Sequence, residues 1–103
     1  MRYKQISLDL FGDRYPWAGY EHATGDNTEA FARMKRALLL AIENELTEHQ
    51  RRVVYAYYFD GKTVTTIAEQ FGVNKSTVTR HLQRARLKLK RCLRYAFYPD
   101  MKD

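Results

Sequence analysis

A three-residue break, Gly72-Val73-Asn74, separates two helical patterns and forces them to lie close together. Upstream, Thr63 is placed to cap a helix that runs through Ile67, Ala68 and Phe71 and stops at Gly72. Downstream, Val78, Leu82, Ala85 and Leu89 recur at i, i+4, i+7 and i+11, which is the spacing of one buried stripe. Glycine tolerates the left-handed backbone that a tight turn needs, and asparagine is a good cap for the helix that follows. Val73 is expected to plug the core between the two helices. Helices joined by so short a turn cross steeply, which is the form of a helix-turn-helix.

The second of these helices carries an unusual charge. From Lys75 to Arg94 the charged residues are Lys75, Arg80, Arg84, Arg86, Lys88, Lys90, Arg91 and Arg94, with no Asp or Glu. Residues 1–74 hold nine Lys and Arg against ten Asp and Glu, whereas residues 75–103 hold nine against two, so the net +6 arises in the C-terminal part. A face this basic suits a polyanion, because Lys and Arg that meet a phosphate backbone release its condensed counterions. On a helical wheel Lys75, Ser76, Thr79, Arg80, Gln83 and Arg84 fall on or beside the face opposite the apolar stripe. Arg can hold guanine and Gln can hold adenine through paired hydrogen bonds, while Ser, Thr and Lys reach bases or phosphates. Recognition helices present their N-terminal turns to the groove, which makes Lys75, Ser76, Thr79, Arg80 and Gln83 base-proximal. Arg84, Arg86, Lys88 and Arg91 are assigned to phosphate or solvent, and His81 is read as a surface histidine.

The remaining pattern predicts an all-α fold, a small helical bundle behind an irregular N-terminal segment. Residues 1–27 are interrupted by Gly12, Pro16, Gly19 and Gly25. Ile6, Leu8 and Leu10 alternate with polar residues as in a short strand, but an unpaired strand has no partner for its hydrogen bonds, so the segment is taken as irregular. Its aromatics Phe11, Tyr15, Trp17 and Tyr20 are expected to cover the core. Residues 28–103 form the helical domain. A helix starts near Asn27 with Asp26 and Glu29 as a capping pair, and Phe31, Met34, Leu38, Ala41 and Ile42 form its apolar face, widened by Leu39 and Leu40. Thr47 and Gln50 form a second capping box, and the helix they open runs to about Phe59 with Val53, Val54, Tyr57 and Tyr58 toward the core.

Several chemistries find no support. The single cysteine, Cys92, precludes an internal disulfide, and His22, His49 and His81 are too scattered for a metal cluster. Neither metal nor cofactor is expected. No paired carboxylates share a face near a histidine, there is no glycine-rich phosphate loop, and Cys92 stands at an apolar helical position, so no catalytic residue is assigned and no enzyme is expected. No apolar run is long enough to cross a bilayer and Met1-Arg2-Tyr3-Lys4 lacks a signal core, which points to a cytoplasmic protein without a membrane partner.

From Leu46 to Arg91 the resemblance becomes specific. The run Leu46-Thr47-Glu48-His49-Gln50-Arg51-Arg52-Val53-Val54, then Tyr58-Phe59-Asp60-Gly61, Ile67-Ala68-Glu69, Gly72-Val73-Asn74, Thr77-Val78 and Arg84-Ala85-Arg86-Leu87-Lys88-Leu89, resembles region 4 of the sigma-70 family of bacterial RNA polymerase sigma factors. The likeness spans residues 46–91 without a gap. It implies a four-helix domain that reads the −35 promoter element of double-stranded DNA with Lys75, Ser76, Thr77, Thr79 and Arg80, while another face holds the β flap of RNA polymerase. That face is assigned broadly to Val54, Tyr57 and Tyr58. Thr65 and Thr66 stand where the family often has two acids, and Tyr57 replaces a common Arg. Residues 1–45 show no pattern of region 2, which melts the −10 element, so the chain resembles short sigma-like regulators of phages and mobile elements, or one half of a two-chain sigma factor whose second chain supplies region 2.

Two other readings stay open at this stage. A LuxR-type helix-turn-helix regulator shares the Thr77-Val78 and His81-Leu82 pattern and would act as a homodimer, with Leu89, Cys92, Leu93, Ala96 and Phe97 as the seam. An adaptor or anti-sigma-like protein would bind polymerase with little DNA contact, which leaves the acid-free helix unexplained.

Overall fold

The computed structural model describes residues 5, 6, 9, 10 and 26–97, with side chains described for the first four and for 32–94. Four helices follow in order: α1 Asp26–Glu45, α2 Glu48–Val54 with a π-helical continuation Tyr55–Phe59, α3 Val64–Phe71 and α4 Lys75–Phe97. No strand occurs among the described residues. The long α4 packs against α1, α2 and α3 alike. Its stripe Val78, Leu82, Ala85, Leu89 and Leu93 is at most 2% exposed and forms the wall that the other helices share.

Local chemistry sets the boundaries. Thr47 takes an extended backbone, its hydroxyl accepts from the Gln50 N–H at 3.2 Å, and the Gln50 amide oxygen accepts from the Thr47 N–H at 3.1 Å. This reciprocal box satisfies two N–H groups that a helix start would otherwise leave open. The Thr63 hydroxyl does the same for Thr66 N–H at 3.1 Å. At the other end of α3, Gly72 adopts the left-handed conformation with φ 67°, its N–H turned to the Glu69 carbonyl and the Val73 N–H to that of Ala68. The pair is a Schellman close. The first carbonyl bonds of α4 come from Asn74, which accepts from Thr77 and Val78.

The structure departs from the sequence reading in three places. Val73 does not plug the core: it is 42% exposed, because the Schellman close turns its N–H back toward α3 and leaves the side chain at the surface, while Ile67, Ala68 and Val78 fill the space between the helices. The α1 stripe is narrower than the apolar run suggests. Met34, Leu38, Ala41 and Ile42 are buried, Leu39 is half-buried and Leu40 is 62% exposed. Within residues 1–27, Gln5, Ile6, Asp9 and Leu10 are helical rather than irregular, with Ile6 and Leu10 buried one helical turn apart and Gln5 Nε2 donating to Asp9 Oδ1. Phe11, Tyr15, Trp17 and Tyr20, and the side chain of Phe31, lie outside the described residues.

The π-helical turn is a further local feature. Asp60 N–H reaches the Tyr55 carbonyl five residues back, and Lys62 N–H reaches that of Ala56. The wider turn buries Ala56 and Tyr58 while Tyr55, Tyr57 and Phe59 stay half-buried. Such turns insert one residue into an otherwise α-helical ladder.

No atom lies within 4 Å of where a Cβ would sit on Gly72, so Gly72→Ala is expected to cost only the left-handed backbone penalty. That penalty is about 1 kcal/mol, to be read from the midpoint of denaturant unfolding.

Candidate nucleic-acid interface

The stripe that holds α4 in the core determines which of its polar side chains face out. Lys75, Ser76, Thr79, Arg80, Gln83 and Arg84 are exposed, and Thr77 is half-buried. They form one outward row over the first three turns. Leu87, 64% exposed, follows Gln83 and Arg84 on the same face, with Lys90 and Arg91 beyond it. With no carboxylate on the helix up to Arg94, the row presents cations and neutral hydrogen-bonding groups only.

Arg86 and Lys88, assigned from sequence with this row, are held elsewhere. Arg86 Nε donates to the Tyr58 hydroxyl oxygen at 2.7 Å and lies 3.9 Å from Asp9 Oδ2. Tyr58 in turn donates to Asp9 Oδ2 at 2.6 Å. Burial first, and then the bond to Asp9, raise the Tyr58 phenol far above its ordinary range against the opposing effect of Arg86, so it remains a neutral donor. Lys88 Nζ donates to Gln50 Oε1 at 3.1 Å and ties α4 to the capping box of α2. Both cations therefore begin with intramolecular partners.

On the side of α4 toward α2, His49 and His81 stack with ring centroids 5.7 Å apart. The Arg52 guanidinium lies 4.6 Å over the Phe71 ring. Burial and then the charges of His49, Arg80 and Arg84 lower the His81 pKa below 6.5. Cys92 is half-buried, and burial followed by nearby Glu45 pushes its thiol up against the pull of Arg91, which disfavours the thiolate. Among the described residues no three His, Cys, Asp or Glu come together to hold a metal ion, and no helix is long and apolar enough to cross a membrane.

Of the three residues assigned to a partner face, Val54 is fully buried and Tyr58 is 4% exposed, which leaves Tyr57 with surface to offer. The Tyr57 ring stands edge-on to that of Tyr58 at 4.9 Å. The dimer seam is also depleted: Leu89 and Leu93 are buried within the chain's own core, Cys92 is half-buried, and the side chains of Ala96 and Phe97 lie outside the described residues.

Sequence reasoning missed the Asp9, Tyr58 and Arg86 network, the Gln50 to Lys88 bond and the histidine stack. A partial signal existed for the first. Arg86 follows Leu82 by four residues and so borders the buried stripe, and Ile6 and Leu10 stand at helical spacing beside Asp9.

Comparison with protein families matches residues 33–89 to the model described as Sigma-70, region 4. That span runs from within α1 to Leu89 on α4 and contains the whole outward row. No curated protein and no solved structure matches the chain significantly.

Tyr58→Phe removes the hydroxyl that joins Asp9 to Arg86. Unfolding free energy is expected to drop by about 1–2 kcal/mol, as for the loss of a partner to charged groups. A denaturation curve superimposable on that of the parent protein would show that the network adds nothing to stability.

Proposed function

The chain belongs to the sigma-70 region 4 family, a DNA-binding family of transcription, and we propose that it reads a −35-like promoter element while contacting RNA polymerase. The observation that carries the reading is the outward row of α4. Lys75, Ser76, Thr79, Arg80, Gln83 and Arg84 stand exposed over three turns of a helix whose opposite face is locked into the core. The N-terminal turns enter the major groove, with Arg80 and Gln83 as the principal base readers and Thr77 at their edge. Arg84 meets phosphate. Arg86 and Lys88 contribute to the long-range field from their intramolecular positions and reach phosphate only by giving up Tyr58 or Gln50.

The polymerase contact is placed on the π-helical turn. Tyr57 offers the surface there, and Val54 and Tyr58 support it from beneath. The occupant of that surface is the β flap. In this reading a region 2 on a second chain melts the −10 element, in the manner of a two-chain sigma factor.

Capture from nuclease-treated bacterial lysate tests the polymerase contact without DNA bridging. Recovery of RNA polymerase is expected. Loss of polymerase together with retained duplex binding would turn the reading to a self-contained regulator, and polymerase capture by a chain that binds no duplex would turn it to an adaptor.

Arg80→Ala is expected to reduce discrimination between a selected site and random duplex by about 1–3 kcal/mol, as the loss of a base contact should. Competition binding against both duplexes reads the difference. Equal weakening on the two would move Arg80 to the phosphate contacts.

A further inference from the structure

Two imidazoles meet where α2 crosses α4. His49 comes from the first turn of α2 and His81 from the second turn of α4, and their planes lie within 19° of each other. They line a cavity of about 180 Å³ with Arg52, Gln70, Phe71 and Val73. The charges around the pair are mostly of one sign. Arg52 stands on α2, Arg80 and Arg84 flank His81 on α4, and Lys88 lies further along α4 on Gln50. Glu48 precedes His49 in the chain, and α3 lines the cavity with the neutral Gln70 and Phe71.

No carboxylate lines this cavity. A proton on His81 therefore adds to a cationic cluster that nothing within the cavity offsets, and in the free protein burial first, and then this field, lower the His81 pKa. An anion entering the cavity reverses that field. Arg80 and Arg84 act on His81 and also stand in the outward row, so a duplex docked through the row brings backbone phosphate toward the edge of α4 where the pair lies.

We propose that the cavity walled by α2, α3 and α4 is a phosphate subsite at which DNA docking is coupled to proton uptake by His81, stacked on His49. The proton comes from solvent, since a phosphodiester has none to give at neutral pH. The inference rests on the DNA-binding reading and adds a condition to it: binding tightens as pH falls through the histidine range. The sign is opposite for the free fold. There the lowered His81 value means that the unfolded chain takes the proton more readily, so this group's contribution to stability is present above pH 6.5 and is lost as pH falls through the folded value.

The test is fluorescence anisotropy with a labelled mixed-sequence duplex at constant ionic strength, from about pH 8 to about pH 5.5, on the full chain and on the His49→Gln, His81→Gln and double variants. Affinity of the parent protein is expected to rise roughly tenfold over that window, as a gain of about one pKa unit on binding requires. The double variant loses that rise. Parallel pH profiles for parent and double variant overturn the proposal while leaving DNA binding intact. A parent protein that binds no duplex at any pH overturns the DNA reading and the proposal with it. An NMR titration of the parent protein serves where a variant fails to fold: the His81 pKa rises when duplex is added, and an unmoved value overturns the proposal.

Discussion

One face of α4 must satisfy three helices at once. Val78, Leu82, Ala85, Leu89 and Leu93 are the common wall for α1, α2 and α3, and each buried Val or Leu among them adds up to about 1.5–3 kcal/mol. Everything else about the helix follows from that demand. With the stripe fixed inward, the residues between its members have no choice of direction, so Arg80, Gln83 and Arg84 point to solvent as a consequence of where Val78, Leu82 and Ala85 must go. The backbone that carries the exposed row is held by the core that it backs onto, which lets a small domain present side chains in a set register to a groove.

The basic residues of α4 divide by their position relative to the stripe. Those on its border find partners inside the protein: Arg86 meets Tyr58 and Asp9, and Lys88 meets Gln50. Those on the far side meet no carboxylate of the helix. A cation already hydrogen-bonded must exchange one partner for another to serve phosphate, whereas an exposed one loses mainly side-chain freedom. Charge counting treats all eight cations from Lys75 to Arg94 alike, and the structure separates them by what each must give up.

What was legible in the sequence was local. The Thr47 and Gln50 box, the Thr63 cap, the Gly72 stop and the stripe of α4 each depend on residues three or four apart, where spacing alone fixes the geometry. Val73 was misplaced because a Schellman close and a core plug use the same Gly-apolar pair and differ only in which way the next peptide turns. The exposure of Leu40 depends on which neighbours α1 meets, and spacing does not contain that. Spacing turns Val54, Tyr57 and Tyr58 toward the core while the resemblance assigns the same three broadly to a partner face, and the π-helical turn that separates half-buried Tyr57 from buried Tyr58 leaves no mark in the pattern. The bond between Asp9 and Tyr58 spans 49 residues and joins a segment whose alternation suggested a strand.

The first turn of α2 governs the recognition helix more than its length suggests. Gln50 closes the capping box with Thr47 through the same oxygen that receives Lys88, so the start of α2 and the middle of α4 share one acceptor. His49 stands one residue earlier and meets His81 two turns before Lys88. The α2 end thus touches α4 at two points along its axis, the Lys88 to Gln50 hydrogen bond and the stack of His49 on His81. Two contacts define the tilt of one rod against another where a single contact leaves it free to pivot.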